Sequence, residues 1–204
     1  MKISKIEIQK KNKKRSSIFI DGEFKLGLTT DIVIKYGLKE GDEITEEDIK
    51  SLLLTQEKEY LKQRAYRLLR YQNRSINELK ERLTKLGYEP DIVEMAISDL
   101  IEEGILDDQK FACGFVNNYT EINPKGNIFI MNELKKRKIE PSVIEAIIKN
   151  RDEKGIIKTL LQKRFPIFDK KDIKQKAKVV RYLMGRGFTT QAIYGSLGED
   201  YDQH

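Results

Sequence analysis

One sentence is written three times in this chain. LTKLGYEPDIVEMAI begins at Leu83, LKKRKIEPSVIEAII at Leu134 and LMGRGFTTQAIYGSL at Leu183. Aligned, Tyr88, Ile139 and Phe188 share one position, 51 and then 49 residues apart, and Ile97, Ile148 and Leu197 share another. Each copy follows an amphipathic helical pattern, around Leu61–Tyr71, Phe111–Tyr119 and Ile156–Phe165. Such a period indicates an array in which each unit packs mainly on its neighbours. The expected fold is mainly α, with three tandem three-helix repeats forming an elongated curved array and a small β-containing N-terminal segment. The expected divisions are 1–55 for that segment, then 56–106, 107–152 and 153–204 for the repeats.

The first residues read differently. Ile6 and Ile8 alternate with polar residues, as do Ile18 and Ile20, and Phe24 and Leu26 follow an Asp21-Gly22 pair. Period-2 patterning around D-G is a hairpin signal, because a type I′ turn needs positive φ. Three strands are expected near 3–10, 15–21 and 23–27, with the basic run Lys10–Arg15 in an exposed loop. Thr30 is expected to cap a short helix over 31–36, ended by Gly37. Thr45-Glu46-Glu47-Asp48 opens another through Leu52 and Leu54.

Within the repeats the stop and start signals are local. Ser75-Ile76-Asn77-Glu78 is a capping box. Gly87 and Gly104 suit left-handed helix ends, and Pro90 suits a first helical turn. Lys138 stands where the flanking repeats have Gly87 and Gly187, which suggests another kind of cap there.

Composition removes most catalytic chemistry. The 204 residues hold one histidine, His204, and one cysteine, Cys113. That argues against histidine-based metal sites, Ser/Cys–His catalysis and internal disulfides, and suits a reducing, cytoplasmic setting. No apolar run reaches membrane-spanning length, and the basic N-terminus lacks a signal h-region. Asp107-Asp108 and Asp169–Asp172 read as helix caps, since no further acid cluster or histidine completes a metal site. There is no P-loop and no C-x-x-C. Cys113, beside Ala112 and near Phe115 and Val116, reads as a small buried residue. The expectation is a non-enzymatic protein without cofactor or metal.

Charge is the more informative property. Net charge is +6, but residues 61–87 carry 8 basic and 2 acidic groups, 88–110 carry 1 and 8, and 153–187 carry 11 and 3. Alternating blocks fit solvated helix faces; they equally fit basic faces directed at a polyanion. The candidates are Arg64, Arg67, Arg70, Arg74, Lys80, Arg82 and Lys85 in the first repeat. Lys135, Lys136 and Arg137, with Lys138, mark the middle one. Lys174, Lys178, Arg181 and Arg186, with Lys170, Lys171 and Lys176, mark the third. Equivalent basic helices of superposable repeats would form a stripe tracking phosphates, or meeting an acidic protein surface. Tyr66 and Tyr71 lie among the arginines, placed to stack on bases, though Tyr71 also suits a core.

QRAYRLLRYQNRSINELKERLTKLGY, the later IEEGILDDQKFACGFV and then RYLMGRGF resemble the RecX family of bacterial RecA regulators over residues 57–198. The resemblance rests on Arg74-Ser75 with Glu78-Leu79, on Leu106-Asp107-Asp108 with Phe111-Ala112, and on Arg186-Gly187-Phe188, in that order and spacing. It implies a monomer that binds RecA in filament form on single-stranded DNA and lowers RecA's ATPase, strand-exchange and co-protease activities. Gly185 departs from the basic residue many members carry there. The alternative is a stand-alone DNA-binding protein using a basic helical face. The acidic third helix of the first repeat argues against a helix-turn-helix reader.

Overall fold

The structure is a computed structural model that describes residues 1–169 and 171–198. The chain forms two compact units: Met1–Gln72 with Leu79–Ile105, and Asn73–Glu78 with the described residues from Leu106 onward. His204 and Lys170 lie outside the described residues, as does the end of the third repeat beyond Gly198.

The first unit opens with an antiparallel sheet of order β1-β2-β3, with β1 at Ile3–Gln9, β2 at Asn12–Ile20 and β3 at Glu23–Thr29. Alternation sets the register: Ile18 faces Ile6 on one side and Leu26 on the other. Asp21 and Gly22 both take positive φ, 51° and 91°, as the D-G signal requires. β2 begins at Asn12, so most of the basic run is strand rather than loop. One sheet face buries Ile18, Ile20, Leu26 and Leu28 with Ile32 and Val33 of α1 (Thr30–Lys35) and with Ile44, Ile49 and Leu52. Thr29, not Thr30, caps α1: its hydroxyl accepts from the Ile32 N–H.

Thr45 and Asp48 form a full capping box at the start of α2, Glu46–Tyr71. This one helix joins two segments that the sequence pattern presents separately, because no glycine or proline interrupts residues 46–71. Midway along it, Gln56 accepts from the Thr29 N–H (2.8 Å) and donates to the Gly27 carbonyl (3.1 Å), occupying the outer edge of β3. An otherwise unpaired strand edge is thereby satisfied.

The remaining helices are α3 (Ile76–Thr84), α4 (Pro90–Glu102), α5 (Asp108–Asn117), α6 (Asn127–Lys136), α7 (Pro141–Lys149), α8 (Glu153–Arg164), α9 (Ile173–Gly185) and α10 (Thr190–Leu197). They form three three-helix repeats: the C-terminal half of α2 with α3 and α4, then α5–α7, then α8–α10. Most repeat positions aligned by sequence are buried alike, with Tyr88 and Ile148 only half-buried. Leu83, Leu134 and Leu183 are fully enclosed, and Ile139 and Phe188 are nearly so. Gly87 and Gly187 end their helices at φ 91° and 77°, and Lys138 does the same at φ 55°. The expected different cap at Lys138 is therefore not found; a lysine adopts the glycine conformation. The Ile139 N–H closes back on the Leu134 carbonyl as the Phe188 N–H does on that of Leu183.

Candidate functional site

The α2–α4 packing of the first unit absorbs much of the acidic block. Lys58 and Lys62 of α2 both meet Asp99 of α4, at 2.9 and 3.4 Å, and Lys62 also reaches Glu103 at 2.5 Å. The Tyr66 hydroxyl donates to Glu103 at 2.7 Å. Burial alone would push Asp99 up, but Lys58 and Lys62 outweigh it and hold the carboxyl below its ordinary value. The Lys62 and Tyr66 hydrogen bonds hold Glu103 down as well. Burial disfavours the charged Lys62, yet its two carboxylate partners raise it overall. Lys80 of α3 pairs with Glu94 of α4. The acidic face of α4 is in good part neutralised from within.

What stays open is a set of arginines. Arg67, Arg70 and Arg82 are exposed, Arg67 donating only to the Gln63 carbonyl one turn back. Lys85 is exposed, 4.0 Å from Glu81. Arg64 and Arg74 are half-buried. Tyr71 is 90% exposed, so it is not core, whereas Tyr66 is spent on Glu103.

In the second unit the structure separates positioning residues from free ones. Ser75 is fully buried; its hydroxyl accepts from the Glu78 N–H and donates to the Arg137 carbonyl at 3.2 Å. Arg137 pairs with Glu78 and Glu133 and lies over the Phe115 ring. Asp108 accepts from the Ile76 N–H at 2.9 Å, capping α3, while Asp107 caps its own helix, α5. Burial pushes the Asp108 carboxyl up; the Ile76 N–H opposes that, and the charges of Asp107 and Glu78 add to it.

The same arrangement recurs one period later. The Arg186 carbonyl accepts from the Gly126 N–H at 2.9 Å, and the Arg186 guanidinium reaches Asn123 and the Pro124 carbonyl while lying over Tyr182. Glu153, the first residue of α8, caps α6 through the Asn127 N–H at 2.6 Å, as Asp108, the first residue of α5, caps α3. It also accepts from the Thr189 hydroxyl at 2.5 Å. Gly126 is obligatory here, since a Cβ would fall 2.0 Å from the Phe188 nitrogen. Beside this joint Arg151 spans Thr120, Asn127 and the Tyr119 and Lys125 carbonyls.

Arg137 and Arg186 therefore hold one repeat to the next, which their sequence position among other basic residues conceals. The clue available was their period: residues 137 and 186 are 49 apart, as are Ile139 and Phe188. Lys136 pairs with Glu133, and Lys135 is exposed. Lys174, Lys178 and Arg181 are exposed on α9 and have no carboxylate partner among the described residues. Cys113 is exposed, contrary to expectation: α5 buries Ala112 and Val116, and residue 113 points about 100° away from that face. Among the described residues there is no group of three or more His, Cys, Asp or Glu placed to hold a metal ion, and no helix long and apolar enough to cross a membrane.

Repeated three-helix units whose junctions reuse an arginine and a capping acid at equivalent positions define a helical-repeat protein with exposed basic residues on its helices. Comparison narrows the class. Residues 1–45 match the regulatory protein RecX N-terminal domain, 62–100 the first and 152–195 the third RecX three-helix domain. The regulatory proteins RecX of Staphylococcus aureus strains JH9 and Newman are 30% identical over 99% of this chain and 76% of theirs. A crystal structure of a regulatory protein RecX superposes with TM-score 0.76, at 24% identity, over 97% of this chain and 98% of that one. That of RecX from Lactobacillus salivarius gives 0.60 at 22% identity, over 69% and 94%. The chain belongs to the RecX family of regulatory proteins.

Proposed function

We propose that this protein is a non-enzymatic regulator that binds the RecA–single-stranded DNA filament in the cytoplasm and inhibits RecA's ATPase, strand-exchange and co-protease activities. Family membership carries the reading. The exposed Arg67, Arg70 and Arg82 and the unpaired Lys174, Lys178 and Arg181 support it, since a nucleoprotein filament offers dense negative charge. The mechanism is steric and electrostatic. Cations on α2, α3 and α9 meet phosphates or acidic protein surface, and the bound helices fill space that duplex DNA or a cleavage substrate would need. The residues 56–106, 107–152 and 153–204 act as three binding repeats, and the protein works as a monomer without metal or cofactor.

The test is RecA's single-stranded-DNA-dependent ATPase, titrated with this protein below one copy per RecA. Strong inhibition is expected well below stoichiometry. Unchanged ATPase, together with salt-sensitive binding to bare DNA, would overturn the reading in favour of a stand-alone DNA-binding protein.

A further inference from the structure

The N-terminal sheet has a second face, which the core does not use. Along β2, Ser16, Ile18 and Ile20 are buried, so Lys13, Arg15, Ser17 and Phe19 share the opposite side. Contacts across the strands bear this out. Gln9 of β1 donates to the Ser17 hydroxyl at 3.2 Å. The Arg15 guanidinium donates to the Gly27 carbonyl of β3 at 2.9 Å and to the Tyr60 hydroxyl of α2 at 2.8 Å. A Cβ at position 27 would fall 3.2 Å from that guanidinium, so glycine leaves it room against the sheet. Further along, the Phe19 and Phe24 rings meet edge to face, 5.9 Å between centres, with the Lys5 ammonium 5.8 Å over Phe19. The apolar side chains of α1 and α2 pack on the other face, and Phe24 is 59% exposed.

The opposite end is cationic. At the β1–β2 turn, Lys10 and Lys11 line a concavity of about 370 Å³ together with Glu7, Ile8, Gln9 and Ser17. Lys10, Lys11, Lys13 and Lys14 are exposed and have no carboxylate partner among the described residues. Residues 1–25 hold 8 basic and 3 acidic groups. Of the acids, Glu7 pairs with Lys5 at 3.1 Å, Asp21 accepts from the Lys2 N–H, and Glu23 stands by the β2–β3 turn, away from the lysines. From Lys13 to Phe19 the face runs about 20 Å, at about 3.3 Å per residue. Ammonium groups at one end, an exposed ring at the other and hydrogen-bonding side chains between them suit a single strand, whose phosphates need cations and whose unstacked bases need ring faces. An amphipathic helix would need an aliphatic floor, and Gln9, Arg15 and Ser17 occupy that place.

We propose that the outer face of the β1-β2-β3 sheet binds single-stranded nucleic acid, with Phe24 stacking on a base and the lysines of the β1–β2 turn meeting the phosphates. This site lies outside the three-helix repeats and contacts the strand itself, so it does not depend on RecA.

The test uses the full chain, which has no tryptophan. Phe24→Trp therefore places a single fluorescent reporter on the face. Titration with a thymidine 15-mer is expected to quench it at least twofold, because a stacked base lies against the indole. Lys11→Glu with Lys13→Glu in the same background should raise the midpoint at least fivefold, with unchanged far-ultraviolet circular dichroism. Absence of quenching at position 24 would overturn the proposal; quenching confined to a separate Tyr71→Trp variant would place the strand on the first repeat's arginines instead. A midpoint unmoved by the lysine changes would overturn it as well. So would equal quenching by a 15-residue polyglutamate, which carries charge without bases and would make the face a site for an acidic protein segment.

Discussion

Lys138 sits at φ 55° where its two counterparts are glycine. A side chain with a Cβ is crowded against its own carbonyl in that conformation, and the surrounding turn holds it there. The Ile139 N–H bonds to the Leu134 carbonyl, and Ile139 itself is buried. Lys138→Gly should therefore stabilise the second unit by about 1 kcal/mol, read as a higher urea midpoint at unchanged slope. A drop in midpoint would mean that the lysine side chain contributes more than the backbone loses. The residue scale also shows what one chain can hide. Ser75, Gly87 and the Asp21-Gly22 turn were legible because each signal is local, a hydroxyl three residues from a carboxylate or a glycine after a helix. Arg137, Arg186 and Asp108 were not, because their partners across the junctions lie 32–63 residues away and a basic or acidic letter looks alike in solvent or in a clamp.

At the scale of elements, the junction between consecutive repeats depends on an acid at the start of one helix capping the start of another. Glu153 is the more enclosed of the two acids, 6% exposed, and three donors converge on it from Asn127 and Thr189. Glu153→Leu leaves those donors buried without acceptors and should cost on the order of 3 kcal/mol, whereas Glu153→Gln keeps an acceptor oxygen and should cost about 1 kcal/mol. Denaturant unfolding of both variants separates capping from packing: equal losses would show that the acceptor oxygen is not what matters. The α2–α4 network makes a different prediction, in pH. Asp99 and Glu103 are held below their ordinary values in the folded chain, so their contribution is present above those values and is lost as pH falls through the lowered ones. Lys62 and Tyr66 are held above their ordinary values, so their contribution is intact below those values and fades as pH rises through the raised ones. The first unit should be most stable on the broad plateau between. Asp99→Asn with Glu103→Gln should flatten the acid limb of melting temperature against pH; an acid limb unchanged from wild type would exclude this network as its source.

Over the whole molecule, the question is which of 39 Lys and Arg residues are available to a partner. The structure reduces the sequence-derived set by internal use: Lys80 goes to Glu94, and Arg137 and Arg186 go to repeat junctions; Lys58 and Lys62, outside that set, are held by α4. Arg67, Arg70 and Arg82 remain exposed in the first repeat. If these arginines track phosphates, each contact releases counterions, and the salt slope of filament binding records how many are made. Replacing all three by Glu should lower the slope of log affinity against log salt by about 2, at ~0.7 per single-strand phosphate. It should also weaken ATPase inhibition at least tenfold. Because all three side chains project from helix surfaces, far-ultraviolet circular dichroism should not change. A control with Arg137→Ala and Arg186→Ala should behave in the opposite way, losing stability before it loses salt dependence. Should the triple variant inhibit fully with normal helicity, the first repeat's basic face would be solvation, and binding would rest on Lys174, Lys178 and Arg181 of α9 instead.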